Sequence, residues 1–333
     1  MEEISRKILN EIQKGFPLVS QPFRVLGESV GCSGPECLFR IRALKDQGWI
    51  RDIGPVFNAK ALGYQGALVA MKVPPGRIEE SARQISAHPG VSHNYERLDD
   101  FNLWFTIMVP PGRDLPSEVE DLRELSEPSD VMVLPEVRVF KIRVRFDFPS
   151  GKDRVPENPG GDPAPEDPCR GGPFDFDEED RFFIRAFQAG IPLSERPFED
   201  LSGLCGITEE LFLEKARGMV DRGIVRRVAA VLNHRLAGFR ENALVVWNVP
   251  EPERDQAGRK IAEVPEVSHC YERLVPPEWP YPVFSMIHGK DAEDFDRIIR
   301  GIIGRTGGFE HKILRTGREF KKTRPRFFVF PEG

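Results

Sequence analysis

Residues 91–98 read Val-Ser-His-Asn-Tyr-Glu-Arg-Leu, and residues 267–274 read Val-Ser-His-Cys-Tyr-Glu-Arg-Leu. Other pairs fall at nearly the same spacing. Pro22-Phe23 returns as Pro197-Phe198, Gly48-Trp49-Ile50-Arg51 as Gly223-Ile224-Val225-Arg226, and Asn58 as Asn233. Leu62-Gly63-Tyr64 returns as Ala237-Gly238-Phe239, and Val73-Pro74 as Val249-Pro250. An offset held through such long segments marks a tandem duplication, so the chain folds as one design used twice. Two copies of one unit are expected to pack as a pseudo-dimer, as identical subunits do about a two-fold axis.

The boundary between the copies is written in composition. From Pro149 to Asp180 there are seven prolines, five glycines, ten acids and three bases. Such a stretch has little to bury and predicts a flexible, extended linker. This stretch carries -7 against a formal charge of -6 for the whole chain, so the rest sums to about +1. A wholesale nucleic-acid binder is therefore not expected, although a local basic patch is compatible with the sum. No apolar run is long enough to span a membrane, and the N-terminus lacks the basic-then-apolar order of a secretory signal. The five cysteines form no CxxC pair, which argues against a disulfide framework or structural zinc and for a reducing cytoplasm.

Within each copy the periodicities change in a fixed order. Ile4, Ile8 and Ile12 share a helix face, Pro22 opens a second short helix, and Leu38, Ile41 and Leu44 mark a third before Gly48. Trp49–Ile53 starts a small wing. This is a helix-turn-helix pattern. Alternation then predicts a strand over Ala67–Val73, a helix over Ile78–Ala87, and strands over Val91–Arg97 and Leu103–Val109. A helix over Leu115–Leu125 and a strand over Val137–Phe146 complete the first half, and the second half repeats the order. The expected fold is α+β, a tandem repeat of winged helix-turn-helix plus ferredoxin-like βαββαβ domain. The expected boundaries are 1–60 and 61–148 for the first half, 149–179 for the linker, and 180–236 and 237–333 for the second half.

This order resembles the Lrp/AsnC family of transcription factors, which implies an amino-acid-responsive DNA-binding regulator. The third helix of the first half offers Arg40, Arg42 and Lys45 to a duplex. Its counterpart offers Glu209, Glu210, Glu214, Lys215 and Arg217, with acids where phosphates would approach. Two matched half-sites are not expected, and DNA is disfavoured as a partner. Fold alone leaves the function open.

The repeated His-x-Tyr-Glu-Arg lies on the second strand of each sheet. Period 2 puts His93, Tyr95 and Arg97, and likewise His269, Tyr271 and Arg273, on one face with the glutamate on the other. Such a row is either an interface ladder or the wall of a ligand site. Its second copy continues into an aromatic loop holding Trp279 and a strand that ends at His288, which a hairpin brings toward His269. The first half has Val109-Pro110 at that place and no histidine. The last strands are basic: alternation predicts Lys141, Arg143 and Arg145 on one face, and the second copy carries Arg315, Arg318, Lys321 and Lys322. Together these residues would suit a large, flat molecule with many carboxylates.

Val-Ser-His-Cys-Tyr-Glu-Arg, the Trp-Pro-Tyr loop, Phe-Ser-Met-Ile-His-Gly and Arg-Glu-Phe-Lys-Lys-Thr together resemble siroheme decarboxylase, with both subunit types of that family fused in one chain. The resemblance implies a carboxy-lyase on an Lrp/AsnC-like fold. It would remove two acetate carboxyl groups from siroheme as CO2, giving 12,18-didecarboxysiroheme in the alternative heme or heme d1 pathway. It implies no cofactor beyond the iron tetrapyrrole substrate, an internal pseudo-dimer with room for a further homo-oligomer, and no membrane partner. Under it, His269 or His288 donates the proton and the other lies near or on the siroheme iron. Tyr271 assists, and Arg273, Arg315, Arg318, Lys321 and Lys322 hold carboxylates with Trp279 against the macrocycle. His93, Tyr95, Arg97 and Lys141 line a second, weaker pocket or contribute across the interface. The alternative is an Lrp/AsnC-type DNA-binding transcriptional regulator, with a tetrapyrrole as one candidate effector.

Overall fold

In chain order the first half folds as α1 (Glu3–Lys14), α2 (Pro22–Val30), α3 (Gly34–Asp46), β1 (Ile50–Phe57), β2 (Gln65–Lys72), α4 (Ile78–Ala87), β3 (Val91–Arg97), β4 (Leu103–Val109), α5 (Leu115–Ser126) and β5 (Asp130–Ile142). The second half repeats the order as α6 (Glu178–Phe187), α7 (Pro197–Cys205), α8 (Glu209–Asp221), β6 (Val225–Leu232), β7 (Glu241–Trp247), α9 (Arg254–Ala262), β8 (Val267–Arg273), β9 (Val283–Gly289), α10 (Ala292–Thr306) and β10 (His311–Lys322). This computed structural model describes residues 1–142, 172–233 and 241–330. Most of the expected linker, residues 149–171, lies outside them, and its last two residues already belong to α6. The chain divides into two units, with one cut after Gly63.

One unit holds the helical segments of both halves. Local signals set the helix ends: Ser33 and Thr208 cap α3 and α8 by accepting the Glu36 and Leu211 amides, and Gly31 closes α2 at φ 85°. Ile8, Leu9 and Ile12 of α1 and Phe183, Ile184 and Phe187 of α6 are buried. The expected wings are not hairpins. Each half owns one strand here, and a lone strand leaves its amides and carbonyls unpaired. β1 therefore pairs antiparallel with β6 of the other half, Ile53 against Ala230 and Pro55 against Val228.

The other unit is a closed eight-stranded barrel in the order β10-β3-β4-β2-β5-β8-β9-β7, with every neighbouring pair antiparallel. Two ferredoxin-like sheets have exchanged their last strands. β5 pairs first with β2 of its own half and then with β8, while β10 pairs first with β7 and then with β3. This double duty explains why β5 starts at Asp130, earlier than the alternation over Val137–Phe146 predicts. Because the strands alternate in direction around the ring, β3 and β8 run the same way. His93 and His269, near their starts, share one end of the barrel.

Three apolar clusters hold this unit together. α4 and α5 cover the outside of β2–β4 through Ile78, Ala82, Ile85, Val119 and Leu122. α9 and α10 cover β7–β9 through Ile261, Phe295, Ile298 and Ile302. Inside the barrel Ala70, Trp104, Met132, Leu134, Leu244, Val246, Trp279, Phe284 and Leu314 interdigitate. Each fully buried side chain of this size contributes about 1.5–3 kcal/mol relative to exposure. The middle of the barrel is therefore packed, not an open slot between two sheets.

Candidate active site

β8 enters the site through a register shift between Val267 and His269. Val267 stays in the outer core, Ser268 takes up the extra residue, and His269, Tyr271 and Arg273 then face inward. The Ser268 hydroxyl lies 2.9 Å from His269 Nδ1 and 2.8 Å from His288 Nε2, so one side chain bridges two imidazoles. The strand pairing explains this: His269 sits opposite Met286 on β9, which leaves His288 beside the shift. The rings of His269 and Tyr271 are 6.1 Å apart and nearly parallel. The Arg273 guanidinium is 5.0 Å from the centre of the Tyr271 ring and 5.8 Å from that of Phe284.

The first half repeats part of this arrangement. Ser92 Oγ is 3.0 Å from His93 Nδ1, His93 and Tyr95 are 6.1 Å apart, and Arg97 lies 5.1 Å over Tyr95. Val91 pairs with Ile107 as Val267 pairs with Ile287, so Met108 occupies the place of His288. That corrects the expected counterpart, Val109-Pro110, by one residue. Ser92 finds the Thr106 hydroxyl at 2.9 Å instead of a second imidazole.

Each copy also withdraws a cation from solvent, fully at Arg97 and partly at Arg273. Arg97 is 4% exposed and donates to the Leu314 carbonyl and the Thr316 hydroxyl. Arg273 donates to the Leu134 carbonyl at 2.8 Å. Among the described residues no carboxylate pairs with either guanidinium, and the Nε of each is buried without an acceptor. Loss of solvent pushes the Arg97 guanidinium down to about 10 and lowers that of Arg273. A desolvated charge without an ion-pair partner is costly, and it is a ready partner for an incoming carboxylate, although Glu136 on the facing strand offsets part of that cost at Arg273.

The exchange of strands reassigns the basic residues. Lys322 sits opposite His93 and Glu319 opposite Tyr95, while His269 faces Ile142 and Tyr271 faces Val139. Lys322 therefore joins the first-half histidine, not the second. Three other expected carboxylate holders, and Lys141 of the expected weaker pocket, are directed to the helix side. Arg315 pairs with Glu241 at 3.0 Å and lies over the Phe295 ring, and Arg318 pairs with Glu96 at 2.7 Å. Lys321 donates to the Ser86 carbonyl near the end of α4, and Lys141 donates to the Val264 carbonyl just past α9. A register shift between Val139 and Lys141 breaks the alternation that predicted otherwise. Arg143 and Arg145 lie outside the described residues.

Trp279 also sits apart from the imidazoles. Its loop joins the end of β8 to the start of β9, at the end of the barrel away from His269 and His288. There it packs 5.9 Å from both Trp104 and Phe101 and 5.4 Å from Tyr281, with the Lys312 ammonium 5.4 Å over its ring. Ser268 is a site residue that the expected set lacks, although it stands in the repeated Val-Ser-His. No group of three or more metal-ligating side chains occurs among the described residues, and no helix there is long and apolar enough to cross a membrane.

In the helical unit the arginines expected to read DNA are engaged elsewhere. Arg42 donates twice to the Leu193 carbonyl, and Arg217 donates twice to the Leu18 carbonyl. Arg40 is held by Glu36 at 3.0 Å and by Glu2.

Comparison with known proteins agrees with this architecture. An AsnC-like ligand binding domain matches residues 61–141 and 236–321, and a siroheme decarboxylase NirDL-like HTH domain matches residues 5–51 and 180–226. The chain is 39% identical to a siroheme decarboxylase of Hydrogenobacter thermophilus over 97% of this chain and 94% of the relative. It is 31% identical to a siroheme decarboxylase NirDL subunit of Paracoccus pantotrophus over 97% and 96% of the two chains. A crystal structure of the siroheme decarboxylase NirDL in co-complex with an iron-uroporphyrin III analogue superimposes with a TM-score of 0.74 at 35% identity, covering 98% of this chain and 95% of that one.

Proposed function

Because this chain belongs to the siroheme decarboxylase family, with the family's two modules each present twice, we propose that its second-half site removes acetate carboxyl groups from siroheme. The two halves would correspond to the two subunit types. The observation that carries the reading is the Ser268-bridged pair His269 and His288, continued along the same face of β8 by Tyr271 and by Arg273 over the Tyr271 ring.

The chemistry asks for little more. The bond between methylene and carboxyl carbons breaks, its electron pair stays on the methylene carbon and spreads into the macrocycle, and CO2 leaves. A proton delivered to that carbon completes a methyl group. Nothing is oxidised or reduced, so the reaction balances with no cofactor beyond the iron tetrapyrrole substrate. His269 presents Nε2 as the donor, since its Nδ1 is on Ser268. An imidazole titrates near neutrality, and general acid catalysis of this kind contributes about 10²–10⁴-fold. Arg273 binds the departing or a neighbouring carboxylate, and Tyr271 stacks between the two. Two such losses would give 12,18-didecarboxysiroheme.

The regulator alternative has less support, because Arg42 and Arg217 are turned to backbone carbonyls within the protein. Anaerobic incubation with siroheme, followed by mass analysis of the tetrapyrrole, tests the proposal. Species lighter by one and then two CO2 are expected; an unchanged mass overturns it.

A further inference from the structure

We propose that Ser268 is a positioning residue that relays a proton from His288 to His269 during decarboxylation. The inference rests on the decarboxylase reading above and adds a residue to it. Ser268 Oγ is within hydrogen-bond distance of a ring nitrogen on each side, 2.9 Å to His269 Nδ1 and 2.8 Å to His288 Nε2. A hydroxyl both donates and accepts, so it can pass a proton on without ever holding a charge. Its other contact, the Met286 carbonyl at 3.4 Å, is longer.

The transfers balance. The His269 Nε2–H bond breaks as its proton goes to the substrate carbon. Nδ1 of the same ring takes the Ser268 hydroxyl proton, and Ser268 takes one from Nε2 of a doubly protonated His288. His288 ends neutral, His269 ends as its other tautomer, and the carbanion is quenched. The first half cannot do this. Ser92 holds His93 in the same way, but its second neighbour is the Thr106 hydroxyl, which does not supply a proton near neutrality. The relay thus distinguishes the two copies.

Single-turnover decarboxylation of siroheme by the full chain tests it, with substrate binding followed by optical titration. Ser268→Ala is expected to slow formation of the methyl product about 10–100-fold, with a dissociation constant close to that of the parent. Ser268→Thr, which keeps the hydroxyl, is expected to recover most of the rate. In mixtures of light and heavy water the parent should show a curved proton inventory and Ser268→Ala a linear one. An unslowed Ser268→Ala, a Ser268→Thr as slow as Ser268→Ala, or a linear inventory in the parent overturns the relay. A parent that releases no CO2 instead overturns the decarboxylase reading on which it rests.

Discussion

Arg273 carries its charge into the barrel, where its guanidinium donates to the Leu134 carbonyl and lies over the Tyr271 and Phe284 rings. Replacing it by a long apolar side chain removes a desolvated cation, so Arg273→Met should leave the ligand-free chain at least as resistant to thermal unfolding. The same variant should bind siroheme about 10–100-fold more weakly, the worth of a charge-assisted hydrogen bond of about 1.5–3 kcal/mol. Calorimetry and optical titration separate the two effects; a destabilised variant with intact binding would give Arg273 a purely structural role. The row of His269, Tyr271 and Arg273 was legible in the sequence because period 2 fixes faces along a strand. Ser268 was not, since its place depends on a register shift that no residue type announces. A similar shift turned Lys141 away from the inner face.

Among the elements, α9 and β5 meet where the two copies differ. Gly258 of α9 lies over the ring of Phe140, and a Cβ there would stand 2.2 Å from it. The first half has Ala82 at the corresponding position. Gly258→Ala should therefore lower stability by about 1–3 kcal/mol through overpacking, measured by chemical denaturation. An unchanged midpoint would mean that Phe140 has room to move. The helices and most strands could be read from periodicity to within a few residues. The start of β5 could not, and neither could the partners of the wings and last strands, because these belong to the other half. Alternation in β1 or β5 gives the faces of a strand and says nothing about which neighbour supplies its hydrogen bonds.

At the scale of the molecule, duplication placed two His-x-Tyr-Glu-Arg strands in one barrel, and strand exchange gave each a wall from the other copy. The walls then diverged. The second-half site has His288, Val139 and Ile142 where the first has Met108, Glu319 and Lys322. The repeat was plain in the sequence, and so was the missing histidine of the first half. Which basic residues accompany which histidine was hidden by the exchange. If the second-half imidazole pair does the chemistry, the direct test is the mass of siroheme after anaerobic reaction with the parent, His269→Ala, His288→Ala and His93→Ala chains. The parent should yield tetrapyrroles lighter by one and two CO2, the two second-half variants should be slowed by about 10² or more, and His93→Ala should lose far less. Full turnover in His269→Ala with loss of activity in His93→Ala would contradict it.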